Sequence, residues 1–545
     1  MLSLTVLSRL SGKDSHTTMN AKHDHGLEQK LRRDVTVWGS FMWGYADVGA
    51  DIYVALGLVI GAAQGGASLA FALAGLVYIM IGLAFTELAS SYPVAGGGHY
   101  YSLRGLGDFS GFLAGAALLL DYTIDIALFA TASTGYLNFF LPYFGITLSK
   151  FAINIGPFSN VNVLWLIETM ALIIFLRWLN IRGVRESSKL NEVIGLVDLI
   201  MEMSIVSFGF ILAWKPELLA DQWKHQFPST KQFMYGFSLA IISFVGLESI
   251  SQAAQETRRP ATVIPRTSLA LIFTVFILAV SFSTVGLGIL PWQEFHAHES
   301  DPIAYLASHI PYLGVIAGPF AAFLGATILF ISSNSGIMGD SRLIYSMSHF
   351  RLVSKWFSHV HPRFRTPSNA IIGFGWVGLV LTMIAFLTPR VLDTLANLYA
   401  FGATFGYMLV FISLIRLRFV DPYTPRPYKV PLNIKWRRRS DHMVIYVPIL
   451  GFIGFIGVTS IFLTVVITHE IGRIVGPLWM LICVVYYFAF RHRNKLPVLR
   501  NTEHDWEHEQ IDVLTAAEEY ESLEEYKQAL IRRDRERGIK SRWEE

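Results

Sequence analysis

Carboxyl groups recur at four-residue intervals inside stretches that are otherwise apolar. Asp47 and Asp51, Asp121 and Asp125, and Asp198 and Glu202 each form such a pair, and residues four apart share one face of a helix. Glu248 and Glu168 add single carboxyls in two further stretches. No Lys or Arg lies deep in these stretches to neutralise them; Arg177 falls at a helix end, where it can snorkel to the interface. A charged side chain at mid-bilayer costs about 2.5–3.5 kcal/mol on insertion scales. Such groups must be protonated, hydrated in a cavity, or met by a cation that arrives from solution. Each outcome is cation chemistry: a proton relay, an alkali-ion site or an ammonium pocket. Taken singly, a carboxyl in a span reads as protonated or interfacial, and Glu168 and Glu202 are read that way. Asp47, Asp51 and Asp121 are read as functional, because they coincide with a second signal.

That signal is interruption of the helices that carry them. The first apolar stretch reads Trp43-Gly44-Tyr45-Ala46-Asp47-Val48-Gly49-Ala50-Asp51-Ile52-Tyr53, and the sixth reads Ile242-Ser243-Phe244-Val245-Gly246-Leu247-Glu248-Ser249-Ile250-Ser251. Glycine alone would suggest kinking for close packing. Glycine together with carboxylates near mid-span points to broken helices whose exposed amides and carbonyls replace a ligand's hydration shell. The first and sixth helices hold equivalent places if the first ten form two five-helix halves.

Composition places these stretches in a membrane. Of 545 residues, 53% are hydrophobic and only 16% charged, with mean hydropathy +0.44. Soluble domains carry about 25% charged residues. Stretches long enough to cross a hydrocarbon core of about 30 Å occur near 38–62, 67–90, 111–141, 162–180, 190–214, 233–254, 266–290, 313–347, 369–388, 394–416, 444–468 and 472–490. The expected architecture is an all-α membrane protein of about twelve spanning helices. Its expected parts are a segment 1–37, a transmembrane domain 38–490 and a charged tail 491–545.

Lys and Arg alternate in density between successive loops, as the positive-inside rule requires. Lys30, Arg32 and Arg33 lead the inside set, which continues through Arg104, the Arg177–Lys189 group, Arg258 and Arg266, Arg342–Arg365, and a dense run from Arg416 to Arg439. Outside loops hold Lys150, Lys215, Lys224, Lys231, Arg390 and Arg473 alone. Both termini are expected in the cytoplasm of a multi-pass plasma-membrane protein. The start shows no cleavable signal, and Met19 is a second candidate initiator. In the tail, Thr515–Arg537 is expected to form a solvated helix against the cytoplasmic loops, with Leu514, Tyr520, Leu523, Tyr526 and Leu530 on one face.

Several functions are excluded at this level. The single Cys483 rules out an intrachain disulfide framework or thiolate cluster. A net charge of +3, dispersed along the chain, gives no footprint for nucleic acid. No Ser-His-Asp, Cys-His or metal-ligand constellation indicates an enzyme, and no phosphate-cradling loop occurs. His23, His25, His504 and His508 lie in polar ends and read as solvated. No cofactor is expected.

Three motifs give the chain a resemblance. They are Phe244-Val245-Gly246-Leu247-Glu248 with Gln255-Glu256-Thr257-Arg258-Arg259-Pro260 and Ile264-Pro265-Arg266; Ser341-Arg342-Leu343-Ile344-Tyr345-Ser346-Met347-Ser348 with Arg365-Thr366-Pro367; and Tyr92-Pro93-Val94-Ala95-Gly96-Gly97-Gly98. Over about residues 35–420 the sequence resembles the amino acid–polyamine–organocation superfamily of secondary transporters. The resemblance implies a LeuT-type fold, with two inverted five-helix repeats plus two helices, and alternating access. It implies that the Gly49-Ala50-Asp51 break presents amides to a substrate carboxylate, while carbonyls around Ser243 and Val245 meet its amino group. Gly246 and Glu248 complete the second break. Ser332 and Ser333 fall where sodium-coupled relatives place a hydroxyl ligand. Asp198 falls where some proton-coupled relatives carry a lysine.

The sequence also departs from that pattern. Amino acid permeases carry an uncharged, Gly/Ser-rich first break, and Asp51 would repel a substrate carboxylate unless protonated or paired. Tyr45-Ala46-Asp47-Val48-Gly49 resembles the start of KUP-type potassium importers, and Leu119-Leu120-Asp121-Tyr122 resembles helix three of related potassium–proton symporters. The expected function is uptake of a small cationic or zwitterionic amino acid or amine, coupled to H+ or Na+. Asp47, Asp51 and Asp121 form the cationic-group pocket, Asp198 with Ser332 and Ser333 the coupling site, and Asp125 and Tyr53 are further candidates. A potassium–proton symporter is the alternative, and a substrate sensor signalling through the tail is a third reading.

Overall fold

The first crossing is not one helix but two. In the computed structural model, which describes residues 37–544 apart from 95, 156–157, 184–187, 253, 255–256, 258, 439–443 and 499, α1 spans Val37–Val48 and α2 spans Asp51–Ala63. A 3-10 turn, Gln64–Gly66, leads directly into α3, Ala67–Ser91. The whole run Val37–Ser91 is 55 residues of high hydropathy; at 1.5 Å per residue it is about 80 Å of helix, enough to cross a 30 Å core twice. Eleven stretches among the described residues are long and apolar enough to cross, so the doubled first one gives about twelve crossings.

After α3 come a short α4, Gly98–Leu106, and the long α5, Asp108–Asn138. A two-stranded hairpin, β1 Ala152–Ile155 and β2 Phe158–Asn162, precedes α6, Val163–Arg182. Next are α7, Ser188–Phe208, which ends in a π turn, and a short surface helix α8, Pro216–His225. The sixth crossing combines α9, Thr230–Leu239, with α10, Glu248–Gln252. The chain continues through α11 Pro260–Ile289, the short helices α12 Trp292–Ala297 and α13 Pro302–Ser308, and α14 Gly314–His349. It closes with α15 Ser368–Phe386, α16 Val391–Val420, α17 Ile449–Thr468 and α18 Gly472–Arg493, then the tail helices α19 Trp506–Ala516 and α20 Tyr520–Glu536. This is the LeuT-type, all-α membrane architecture expected, with broken helices in the first and sixth crossings.

Three expectations are corrected. Residues 444–448 do not start the eleventh helix; they form β4, Val444–Pro448, paired antiparallel with β3, Asn433–Arg437. The tail is two helices rather than one. Ile511, Leu514, Tyr526 and Leu530 pack together, while Tyr520 is 66% exposed and leaves the shared face. Arg342, counted as a loop residue, belongs to α14. The segment through residue 36, including Met19, His23 and His25, lies outside the described residues, as do Ala95, Arg185, Arg258, Arg439 and Gln255-Glu256.

α5 packs along α14 and α16 at the centre, and α5 and α16 are among the most buried elements. α6, α7, α17 and α18 expose apolar side chains such as Ile167, Ile200, Ile456 and Leu481, the pattern of helices that face lipid. The tail docks through polar contacts. Arg104 donates to Asp421 Oδ2 at 2.7 Å and to Gln510 Oε1 at 2.8 Å, and Gln510 donates in turn to the Ser91 carbonyl at 3.0 Å. Burial opposes the charge on Asp421, yet Arg104 and then Arg426 hold its carboxyl below the usual range. Arg491 reaches Asp108 at 2.7 Å, and the Glu519 carboxylate accepts from the Ala261 amide at 2.9 Å.

A third interior ion pair ties α3 to α16. Arg418 holds Glu87 through two guanidinium nitrogens at 2.5–2.6 Å, and the Val430 amide donates to the same carboxylate at 2.8 Å. Removing one partner strands the other charge without water, which costs about 3–5 kcal/mol. Glu87→Ala is therefore expected to lower the thermal unfolding temperature of the detergent-solubilised protein by several degrees. An unchanged transition would show that Arg418 is satisfied without it.

Candidate functional site

Both breaks arise where the sequence weakens helical geometry. Gly49 and Ala50 separate α1 from α2, and the Gly49 amide donates back to the Tyr45 carbonyl at 2.7 Å. In the sixth crossing α9 tightens into a 3-10 turn, Ala240–Phe244, after which Val245, Gly246 and Leu247 leave the helix. Gly246 takes φ +101°, a conformation that side chains rarely adopt. A Cβ there would lie 3.1 Å from Asp47 Oδ2, so the backbone of the second break abuts the carboxylate of the first.

Around that junction six carboxyls converge: Asp47, Asp51, Asp121, Asp125, Glu248 and Asp340, none more than 6% exposed. Ser249 and Ser332 flank Asp47, and Asp51 faces the Val245 backbone amide. Asp121 lies beside Glu248, whose Oε2 accepts from the Tyr407 hydroxyl at 2.8 Å. Asp125 lies near Tyr399, and the Thr123 hydroxyl is 3.0 Å from Asp340 Oδ2. α5 and α14 approach closely enough to join these groups because position 336 is glycine; a Cβ there would come within 2.8 Å of the Asp125 Cβ. Both Asp121 oxygens, and one oxygen each of Asp51, Asp125, Glu248 and Asp340, have no hydrogen-bond partner. Among the described residues no Lys or Arg forms an ion pair with any of the six. A narrow cleft reaches Asp47 past Trp43, Tyr122, Ser249, Ser335 and Arg342, and the Arg342 guanidinium lies over the Trp43 ring, 5.6 Å from its centroid.

A separate acid pair lies on the opposite flank of the first crossing. Tyr45 and Asp47 are two residues apart, about 200° around the helix. The Tyr45 hydroxyl donates to Glu202 Oε2 at 2.5 Å and the Tyr53 hydroxyl to Asp198 Oδ1 at 2.5 Å. One phenol comes from α1 and the other from α2, so both sides of the break converge on α7. A small cleft beside Gly49 and Ile52 reaches Glu202.

Of the residues singled out from sequence, Asp47, Asp51, Asp121, Asp125, Val245, Gly246 and Glu248 meet at one place, with Gly49, Ala50 and Ser243 at its edges. Ser243 is buried with its hydroxyl unpartnered. Asp198 and Tyr53 meet each other instead. Ser332 and Ser333 do not join Asp198: Ser332 sits with Asp47, and the Ser333 hydroxyl donates to the Ile126 carbonyl at 3.0 Å. Glu202 is fully buried rather than interfacial, and Glu168 stays apart beside Asn138. Asp340, Tyr399 and Tyr407 were missed. Asp340 falls inside the stretch 313–347, where the same search for carboxyls in spans would have found it; the tyrosines carry no comparable signal.

The contact at Gly246 is testable. Gly246→Ala adds about 1–3 kcal/mol of backbone strain and a methyl group against Asp47. Transport is expected to fall at least about tenfold with folding retained, read by uptake into liposomes alongside thermal unfolding. Undiminished uptake would show that the close approach is dispensable.

Residues 36–490 match the family described as amino acid permease. Over 411 residues the chain is 26% identical to a branched-chain amino acid permease of Bacillus subtilis (strain 168), covering 74% of this chain and 85% of that protein. It is 27% identical to a methylthioribose transporter of the same bacterium, over 78% of this chain and 89% of the relative. It is 28% identical to human cationic amino acid transporter 4, over 77% and 66%. The matched region contains the Tyr45–Gly49 and Leu119–Tyr122 segments that suggested potassium transport, and the match to amino acid permeases does not favour that alternative. The chain belongs to the amino acid permease family, and is a multi-pass membrane transporter rather than an enzyme.

Proposed function

We propose that this transporter takes up an amino acid or organic amine by alternating access, driven by protons, with both termini in the cytoplasm of the plasma membrane. The observation that carries the reading is the group of six buried carboxyls at the meeting of two helix breaks. Buried charges of one sign need protons or a cation, and a substrate ammonium supplies three N–H donors to their unpartnered oxygens. A relative named for cationic amino acids, and one named for branched-chain amino acids, support a substrate that bears an amino group. Asp47, Asp121 and Glu248 bind that group, with Asp51 and Asp125 beside them.

Proton coupling falls to Asp198 and Glu202. Their phenol partners belong to α1 and α2, so loading or unloading a proton alters the contacts that fix both sides of the first break against α7. Sodium is less well supported, because Ser333 is engaged by the Ile126 carbonyl and neither Ser332 nor Ser333 of α14 joins Asp198. In liposomes, labelled amino acids and amines are expected to accumulate under an inward proton gradient, unchanged when sodium is replaced by choline. Asp47→Asn removes a charged hydrogen bond worth about 1.5–3 kcal/mol, an expected loss of about 10- to 100-fold in uptake. Asp198→Asn is expected to keep exchange of labelled for unlabelled substrate while losing gradient-driven accumulation. Potassium flux indifferent to amino acids and amines would overturn the reading.

A further inference from the structure

We propose that the β3–β4 hairpin is a docking surface for anionic phospholipid headgroups, gripped by Lys429 and Lys435. The sequence supplies the charge: residues 425–440 contain six Lys or Arg and no Asp or Glu. Basic clusters of this density beside a spanning helix attract anionic lipid. Connectivity supplies the position. β4 ends at Pro448, α17 begins at Ile449, and the Ile449 amide donates to the Leu432 carbonyl at 2.9 Å. The first turns of α17 expose Phe452, Ile453 and Ile456, so the hairpin stands where lipid meets water.

The hairpin is itself amphipathic. Successive strand residues face opposite ways, so Ile434 and Trp436 lie on one face and Lys435 and Arg437 on the other. Ile434 is 58% exposed and Trp436 47%, a poor placement in water and an ordinary one at a lipid interface. On the basic face Lys435 stands opposite Tyr446 in the ladder. The Tyr446 ring gathers two ammonium groups, Lys429 Nζ at 4.8 Å and Lys435 Nζ at 5.9 Å from its centroid. The carboxylates that touch this segment are already taken, Glu87 by Arg418 and Arg426 and Asp421 by Arg104. Among the described residues no ion pair neutralises either lysine. Two like charges held at one ring are the complement of a phosphodiester, whose two free oxygens accept from one ammonium each. The seat is also tied to the scaffold. The Val430 amide, next to Lys429, donates to Glu87, and Arg418 donates to the Tyr446 carbonyl at 3.0 Å. A headgroup that bridges the two lysines therefore braces the hairpin against the α3–α16 ion pair, and thermal stability reports its presence.

The full chain in detergent is titrated with phosphatidylglycerol, with phosphatidylcholine or with inorganic phosphate, and thermal unfolding is followed. Phosphatidylglycerol is expected to raise the unfolding temperature by several degrees, and the other two are not. Lys429→Gln with Lys435→Gln is expected to raise the half-maximal mole fraction of phosphatidylglycerol at least about tenfold, with unfolding in phosphatidylcholine unchanged. Lys429→Arg with Lys435→Arg keeps both charges and is expected to keep the response. Lys355→Gln with Arg363→Gln, two exposed cations of another basic loop, is expected to leave it unaltered. Equal stabilisation by phosphatidylcholine overturns the proposal, and stabilisation by inorganic phosphate overturns lipid as the occupant. Equal weakening by the Lys355 and Arg363 pair reduces the effect to diffuse attraction and overturns the hairpin as its seat. A response lost as fully in the Arg pair as in the Gln pair, or kept in both, overturns the role given to the two lysine charges.

Discussion

A carboxylate taken out of water must find a proton, a cation or a set of donors, and the centre of this protein is arranged around six that compete for too few. A tyrosine hydroxyl partners Glu248 and a threonine hydroxyl partners Asp340. What remains is an excess of acceptors in a place closed to lipid. Such a centre is costly to build, and its cost is recovered only when something positive arrives.

The scaffold can bear that cost because its periphery is ordinary. Lipid-facing helices such as α6, α17 and α18 carry exposed apolar side chains, and three interior carboxylates toward the helix ends are paired with arginine. Glu87 has Arg418, Asp108 has Arg491, and Asp421 has Arg104. On the proposed function, the contrast between matched pairs at the ends of the bundle and unmatched carboxyls at its middle separates structural from functional charge. Position alone, or burial alone, would not.

The two acid groups lie on opposite flanks of the first crossing. Asp47 faces the junction of breaks, while Tyr45, two residues earlier, faces α7. One short segment thus touches both groups, through side chains about 200° apart. On the proposed function, a change in protonation at Asp198 and Glu202 would reach the substrate side without a long relay, because the same backbone carries both contacts. The tail is joined to the bundle through Glu519 at the start of α11 and Gln510 at the end of α3.

The amino-acid order by itself determined the membrane class, about twelve crossings, the two broken helices and most of the carboxyls that meet there. Those features are local: hydropathy over twenty residues, glycine beside aspartate, and a four-residue spacing all register within one element. The tertiary structure alone decided that Asp198 pairs with Tyr53 rather than with Ser332 and Ser333 of α14, that Asp340 joins the central group, and that Glu202 is buried. It also decided that residues 444–448 pair as a strand and that the tail folds as two helices. These outcomes depend on which helix faces meet, and a face is defined only against a neighbour distant in sequence. Asp125 met Gly336 because two helices more than two hundred residues apart could close to contact; no window of sequence contains both.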